Sequence, residues 1–206
     1  MKIITISREF GSGGRELGKR LADALNFDYY DREIIEEIAK NKGLDENYVA
    51  SALENNDWQH APLHFRCSFL GVSSLASAHV DLLLEQRKVI EAIAERGRDF
   101  VIVGRNSDII LKKYASLNIF VCATMESKIK RCMARAREDE KLTEKQAERQ
   151  IKSIDKNRAL THEIVAEGGW GNRTSYHLTI NTSDREIKEI VPSVAAFASE
   201  WFDHAK

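Results

Sequence analysis

Along this chain the spacing of apolar positions switches repeatedly between that of buried strands and that of amphipathic helices. Ile3-Ile4-Thr5-Ile6 is a β-branched run without polar alternation, the pattern of a strand covered on both faces. Glycines at 11, 13 and 14 follow, and then Leu17, Leu21, Ala24 and Leu25 recur at helical spacing, so the opening predicts strand, glycine turn and helix. Phe27 to Asp31 predicts a second strand, Arg32 to Ala39 a helix, and Leu44 to Leu53 a short helix. His79 to Arg96 predicts a long helix ended by Gly97, with Val80, Leu83, Leu84, Val89, Ile90 and Ile93 on one face. Phe100 to Val103, Leu117 to Ala123 and Tyr176 to Thr182 are strand-like. Ile109 to Leu111, Ser127 to Glu138 and Thr143 to Arg158 are helical, the last opening on Thr143 and Gln146 as a capping box. Asp184 is expected to cap a final helix that turns Ile187, Ile190, Val191, Val194, Phe197, Ala198 and Trp201 inward.

The patterning loosens between 41 and 78. The run from Asn55 to Arg66 is polar and aromatic and holds one of the two prolines. So long an irregular stretch in a compact domain suits a substrate-selecting lobe or lid better than a connector. His60, His64 and His79 fit no helix face and are read as ordinary surface or packing histidines.

Composition narrows the classes. A chain of 206 residues and 23.4 kDa can bury one substantial core. Net charge −1 and a pI near 6.6 give no general pull toward nucleic acid or an anionic membrane, so neither is expected as a partner. Cys67, Cys122 and Cys132 have no metal-ligand spacing and read as reduced thiols. With no basic-apolar leader and no apolar run of membrane-spanning length, a cytoplasmic location is expected.

The candidate chemistry lies where predicted strands end. Strand, glycine turn and helix make a phosphate cradle, because glycines let successive N–H groups face one concavity that the helix's positive end reinforces. Against the pattern G-x-x-x-x-G-K-[ST], Gly14 fits the second glycine, Glu9 stands at the first, Arg15 takes the lysine slot and Glu16 the hydroxyl slot. Gly11, Ser12, Gly13, Gly14, Arg15 and Glu16 are the candidate donor-phosphate residues. Arg15 keeps a cation with a planar fork; Glu16 either reaches magnesium or is the acidic residue helices favour in their first turn. Asp31, ending the second strand, is either an acceptor or metal-water contact or the cap of the next helix. Arg105 follows Gly104 at the end of a buried strand, where a second phosphate would sit, unless it lies in a solvated turn. Among the many cations of the two helices beyond Ser127, Arg131, Arg135 and Arg158 are singled out, since phosphoryl transfer gathers several cations on the equatorial oxygens.

Taken in order, these segments, Asp155-Lys156-Asn157-Arg158 and Leu178 to Ser183 resemble cytidylate kinases. They are most similar to the bacterial cytidylate kinase-like family, whose members open with a signature standing here from Thr5 to Glu16. The resemblance covers nearly the whole chain. It implies an α/β three-layer P-loop kinase fold: a five-stranded parallel sheet flanked by helices in one domain over 1–206, a small acceptor-binding lobe near 41–78 and a helical lid near 131–175. It also implies that Gly11 to Arg15 hold the donor phosphates, that Asp31 and Arg105 face the acceptor, and that Arg131, Arg135, Asp155 and Arg158 belong to the lid. The chain departs from established cytidylate kinases at Arg15-Glu16-Leu17, at Arg32-Glu33 and at Asn106, where they carry Lys-Gly-Thr, Thr-Gly and Asp.

The expectation is an ATP- and Mg2+-dependent phosphotransferase acting on a nucleotide or other small acceptor, cytidine monophosphate first. The altered loop leaves two alternatives, a nucleotide-binding regulator without chemistry and a kinase of a non-nucleotide metabolite. The final helix or the 82–93 helix could pair two protomers as a homodimer.

Overall fold

A computed structural model describes residues 1–54, 69–136, 142–166 and 169–204. The run 55–66 with His60 and His64, Cys67, and the predicted end of a helix at 137–138 lie outside the described residues. The chain divides into two compact units, Met1–Asp31 with Gly97–Lys206, and Arg32–Arg96.

Five strands, β1 (Ile3–Arg8), β2 (Asp28–Tyr30), β3 (Phe100–Val103), β4 (Leu117–Cys122) and β5 (Leu178–Asn181), form the sheet of the first unit. All pairings are parallel and the order is β2-β3-β1-β4-β5. Every residue of β1 and β3 is buried, which is the physical content of their unbroken apolar runs. Helix α1 (Gly14–Leu25) packs on β3 and on the C-terminal helix α8 (Ile187–His204), the last element in chain order. Leu17 and Leu21 thereby join Ile4, Ile6, Val101, Val103, Val191 and Val194 in one core. Because β1 lies between β3 and β4, the chain crosses β1 on its way from one to the other, and the strand ends Arg8, Val103 and Cys122 share one edge. Open parallel sheets bind ligands at that edge. Helices α5 (Ser107–Ile110), α6 (Met125–Arg135) and α7 (Glu144–Val165) complete this unit.

The second unit holds α2 (Glu33–Lys42), α3 (Glu46–Glu54) and α4 (Phe69–Glu95). Ile34, Ile35 and Ile38 of α2, Val49 and Leu53 of α3, and Leu82, Val89, Ile90 and Ile93 of α4 are among its buried side chains. The expected acceptor lobe falls in this unit; the expected lid, from 131 onward, falls in the unit of the sheet.

Several local expectations shift. Helix α4 begins at Phe69, ten residues before the predicted start, because Gly71 and the serines at 73, 74 and 77 obscure its period. Its buried face runs through His79, Leu82, Gln86, Val89 and Ile93 and leaves Val80 and Leu84 half exposed. Helix α6 stops at Arg135, where Ala136 turns extended (φ −62°, ψ 144°). Helix α7 runs on to Val165, its last turns held by burial of Thr161 and His162, whose Nε2 lies 3.4 Å from Asp108 Oδ2. The capping box at Thr143 and Gln146 is present. Asp184 does not cap α8: it sits in a left-handed turn (φ 56°) and the helix starts at Ile187. Among the described residues no helix is long and apolar enough to cross a membrane.

Candidate functional site

The turn after β1 is shaped by contacts that leave its amides uncommitted. Ser12 donates its N–H and its hydroxyl to the Glu9 carbonyl, and its own carbonyl accepts the Thr182 hydroxyl at 2.6 Å. Gly13 has φ 84°, and a Cβ there would stand 2.5 Å from Ile187 Cδ1, so both conformation and space demand glycine. Leu17 is the first residue of α1 whose N–H reaches back, to the Gly13 carbonyl. Among the described residues the N–H groups of Gly11, Gly13, Gly14, Arg15 and Glu16 have no acceptor. Five such donors at the positive end of a helix are the arrangement through which backbones in general receive anions.

Beside the cradle stands a cluster of guanidinium groups around one carboxylate. Asp31 is buried at the end of β2; its Oδ2 pairs with Arg15 Nε at 2.5 Å and its Oδ1 lies 3.6 Å from Arg8 Nη2. Helix α2 therefore begins without an Asp31 cap, Arg32 occupying the cap position with no side-chain bond. Arg8 is buried, and its head fits only because residue 104 is glycine: a Cβ there would overlap Arg8 Nη1. Gly104, Arg105 and Asn106 are three successive residues at positive φ (74°, 63° and 53°), a costly run for the two with side chains, and it carries Arg105 off the end of β3. Burial first, then the charges of Arg158, Arg105 and Arg15 against the pull of Asp31, hold the Arg8 pKa down to about 9. Arg8 and Arg15 thus share Asp31, while Arg105 and Arg158, the latter 3.7 Å from Asp155, stand close enough to Arg8 to repel its charge.

The remaining cations do other things. Arg135 pairs with Glu16 Oε2 at 2.8 Å, and Arg20 with Glu16 Oε1 at 3.0 Å, so Glu16 is a first-turn acid bridged by two arginines. Arg131 donates to the Ser12 carbonyl, to the hydroxyl and carbonyl of Thr182 and to the Arg185 carbonyl, joining the loop to the end of β5. Arg158 donates to the Arg8 carbonyl at 3.0 Å and Asp155 accepts the Phe10 N–H at 2.6 Å. Lys128, 6% exposed, lies 3.1 Å from Glu9 Oε2 and 3.2 Å from Asp155 Oδ2. Burial opposes its charge, but these two carboxylates outweigh it and push the Lys128 pKa above its usual value.

A model of the cytidylate kinase-like family matches residues 3–184. The chain belongs to that family. A solved structure described as an uncharacterized protein from Eubacterium ventriosum is similar at 26% identity, covering 97% of this chain and 99% of that one, with a TM-score of 0.71. Shikimate kinases from Acinetobacter baumannii, in complex with shikimate, and from Bacteroides thetaiotaomicron are similar at 14% and 15% identity. The first covers 100% of this chain and 96% of its own, the second 96% and 98%, with TM-scores of 0.55 and 0.56. These two share the P-loop kinase fold. No curated protein matches the chain. Family and fold together support a kinase-type phosphotransferase.

In this member of the cytidylate kinase-like family, the candidates Arg15, Asp31, Arg105 and Arg158 come together around Arg8, while Arg131, Arg135 and Asp155 contact the loop and α1. Arg8, Lys128 and Thr182, which hold the same loop and cluster, are not among the residues the sequence singles out. Arg8 had a signal, a cation closing an apolar strand; Lys128 had none, being one of several cations in its helix. Among the described residues no group of three or more His, Cys, Asp or Glu could hold a metal. Magnesium bound to phosphates needs only one or two carboxylates; Asp31, beside the loop, is the acid that would serve, whereas both oxygens of Glu16 are taken by Arg20 and Arg135.

Proposed function

We propose that the chain transfers the γ-phosphoryl group of ATP, with Mg2+, to a small anionic acceptor, cytidine monophosphate being the first to test. The observation that carries this reading is the adjacency of five uncommitted loop amides to a cluster in which Arg8 and Arg15 share Asp31 and Arg105 and Arg158 stand close to Arg8. The amides of Gly11, Gly13, Gly14, Arg15 and Glu16 would take the donor's phosphates. Arg8, Arg15, Arg105 and Arg158 would take the acceptor's anionic group and the charge that spreads over the transferring phosphoryl. Asp31 would orient the two arginines it holds, and exchange one of them for an acceptor hydroxyl or a magnesium-bound water. Magnesium would supply charge neutralisation on the polyphosphate. No protein nucleophile is needed, because positioning and electrostatics carry phosphoryl transfer.

Arg15 pairs with Asp31 at 2.5 Å, which favours a second reading in which the loop binds nucleotide without transferring from it. One assay separates the two. Purified protein with ATP, Mg2+ and a panel of nucleoside monophosphates, shikimate and simple sugars is expected to form a diphosphate from a pyrimidine monophosphate. Saturable ATP binding with no product from any acceptor would establish the regulator, and product from only a neutral acceptor would establish a metabolite kinase.

A further inference from the structure

Glu9 stands where the phosphate-loop pattern has its first glycine, and the structure gives that exchange a physical reason. Residues 8, 9 and 10 are each held from α6 and α7. The Arg8 carbonyl accepts from Arg158 at 3.0 Å, the Glu9 carboxylate from Lys128 at 3.1 Å, and the Phe10 N–H is donated to Asp155 at 2.6 Å. Glu9 Oε2 also accepts the Ala123 N–H at 3.2 Å, which ties it to the end of β4. Lys128 closes the triad, since its ammonium bridges Glu9 and Asp155, and its helix backs onto the loop: a Cβ on Gly11 would sit 3.1 Å from both Lys128 Cβ and the Lys128 carbonyl oxygen.

A buried ammonium bridging two carboxylates on different elements fixes those elements relative to one another, because loss of any member strands charge in a poorly solvated place. Here what is fixed is the entry to the amide cradle. We infer that Lys128, acting through Glu9 and Asp155, is a positioning residue for donor-phosphate binding: it holds Arg8 to Phe10 so that the next amides face a single anion. This rests on the donor site proposed above.

The test combines Lys128→Met, the charge-balanced pair Glu9→Gln/Lys128→Met, and Lys128→Arg in the full chain. It reads equilibrium binding of ATP and of inorganic tripolyphosphate, hydrogen exchange at the Phe10 amide, and exchange at Ile4 and Ile6. Expected in the two Met variants is faster Phe10 exchange with the β1 core unchanged, and a loss of about tenfold in affinity for both probes. Lys128→Arg is expected to restore both readings. A merely structural ion triad would lower stability and speed exchange throughout while the folded fraction bound both probes normally. Wild-type probe affinity in the balanced pair, unchanged Phe10 exchange, or failure of Lys128→Arg to restore binding in a folded protein would each overturn the inference. Absence of ATP binding by the wild-type chain would instead overturn the donor site, and this inference with it.

Discussion

Arg8 is a single residue that the fold holds at a cost. Its guanidinium is buried beside three like charges and one acid, which is why its pKa falls to about 9; below that value the charge is retained and the burial is not fully compensated. An anion bound there would relieve the repulsion and stabilise the folded state by mass action. Inorganic phosphate is therefore expected to raise the melting temperature of the wild-type chain, and Arg8→Met is expected to reduce that rise by about half or more. Differential scanning fluorimetry over a phosphate series checks this, and an equal rise in both proteins would remove Arg8 from the anion site. Arg15, Asp31 and Arg105 were legible as candidates because each directly follows a glycine turn or an apolar run. Their partner Arg8 is not among those candidates, because its burial depends on Gly104, 96 positions along the chain.

Among the elements, α1 and β3 are in closer contact than their sequences suggest. Gly18 lies in the middle of α1, and a Cβ there would meet Val103 Cγ2 at 2.6 Å and Ile6 Cδ1 at 3.2 Å. Helix propensity alone would make alanine better by up to about 1 kcal/mol. Overpacking against a β-branched side chain in a central strand costs about 1–3 kcal/mol, so Gly18→Ala is expected to destabilise by about 1 kcal/mol net. Urea unfolding measures the difference; a raised midpoint would show that α1 can shift away from β3. The capping box at Thr143 and the inward face of α8 could be read directly, since both are set by neighbours within a turn or two. The start of α4 and the cap assigned to Asp184 could not, because small residues hide one period and a left-handed backbone conformation leaves no mark on the other.

Across the whole molecule, stability should concentrate where burial is complete. Ile4, Ile6, Val101, Val103, Ile119 and Val121 are fully buried on three adjacent strands, whereas α2 alternates buried and exposed positions. Native-state hydrogen exchange is expected to be slowest, at the free energy of global unfolding, for the amides of β1, β3 and β4, and faster in α2 and α3. Equal protection in α2 would mean that the two units open as one.

The sequence by itself determined the α/β alternation, the parallel sheet, the glycine turn and the family, because strand periodicity, turn chemistry and an ordered signature are local properties of the chain. Tertiary structure alone decided which of many cations are buried and paired. Arg8 and Lys128 differ from their solvated neighbours only in the carboxylates and glycines brought to them from distant segments, and the free energy of a charge is set by what surrounds it in space.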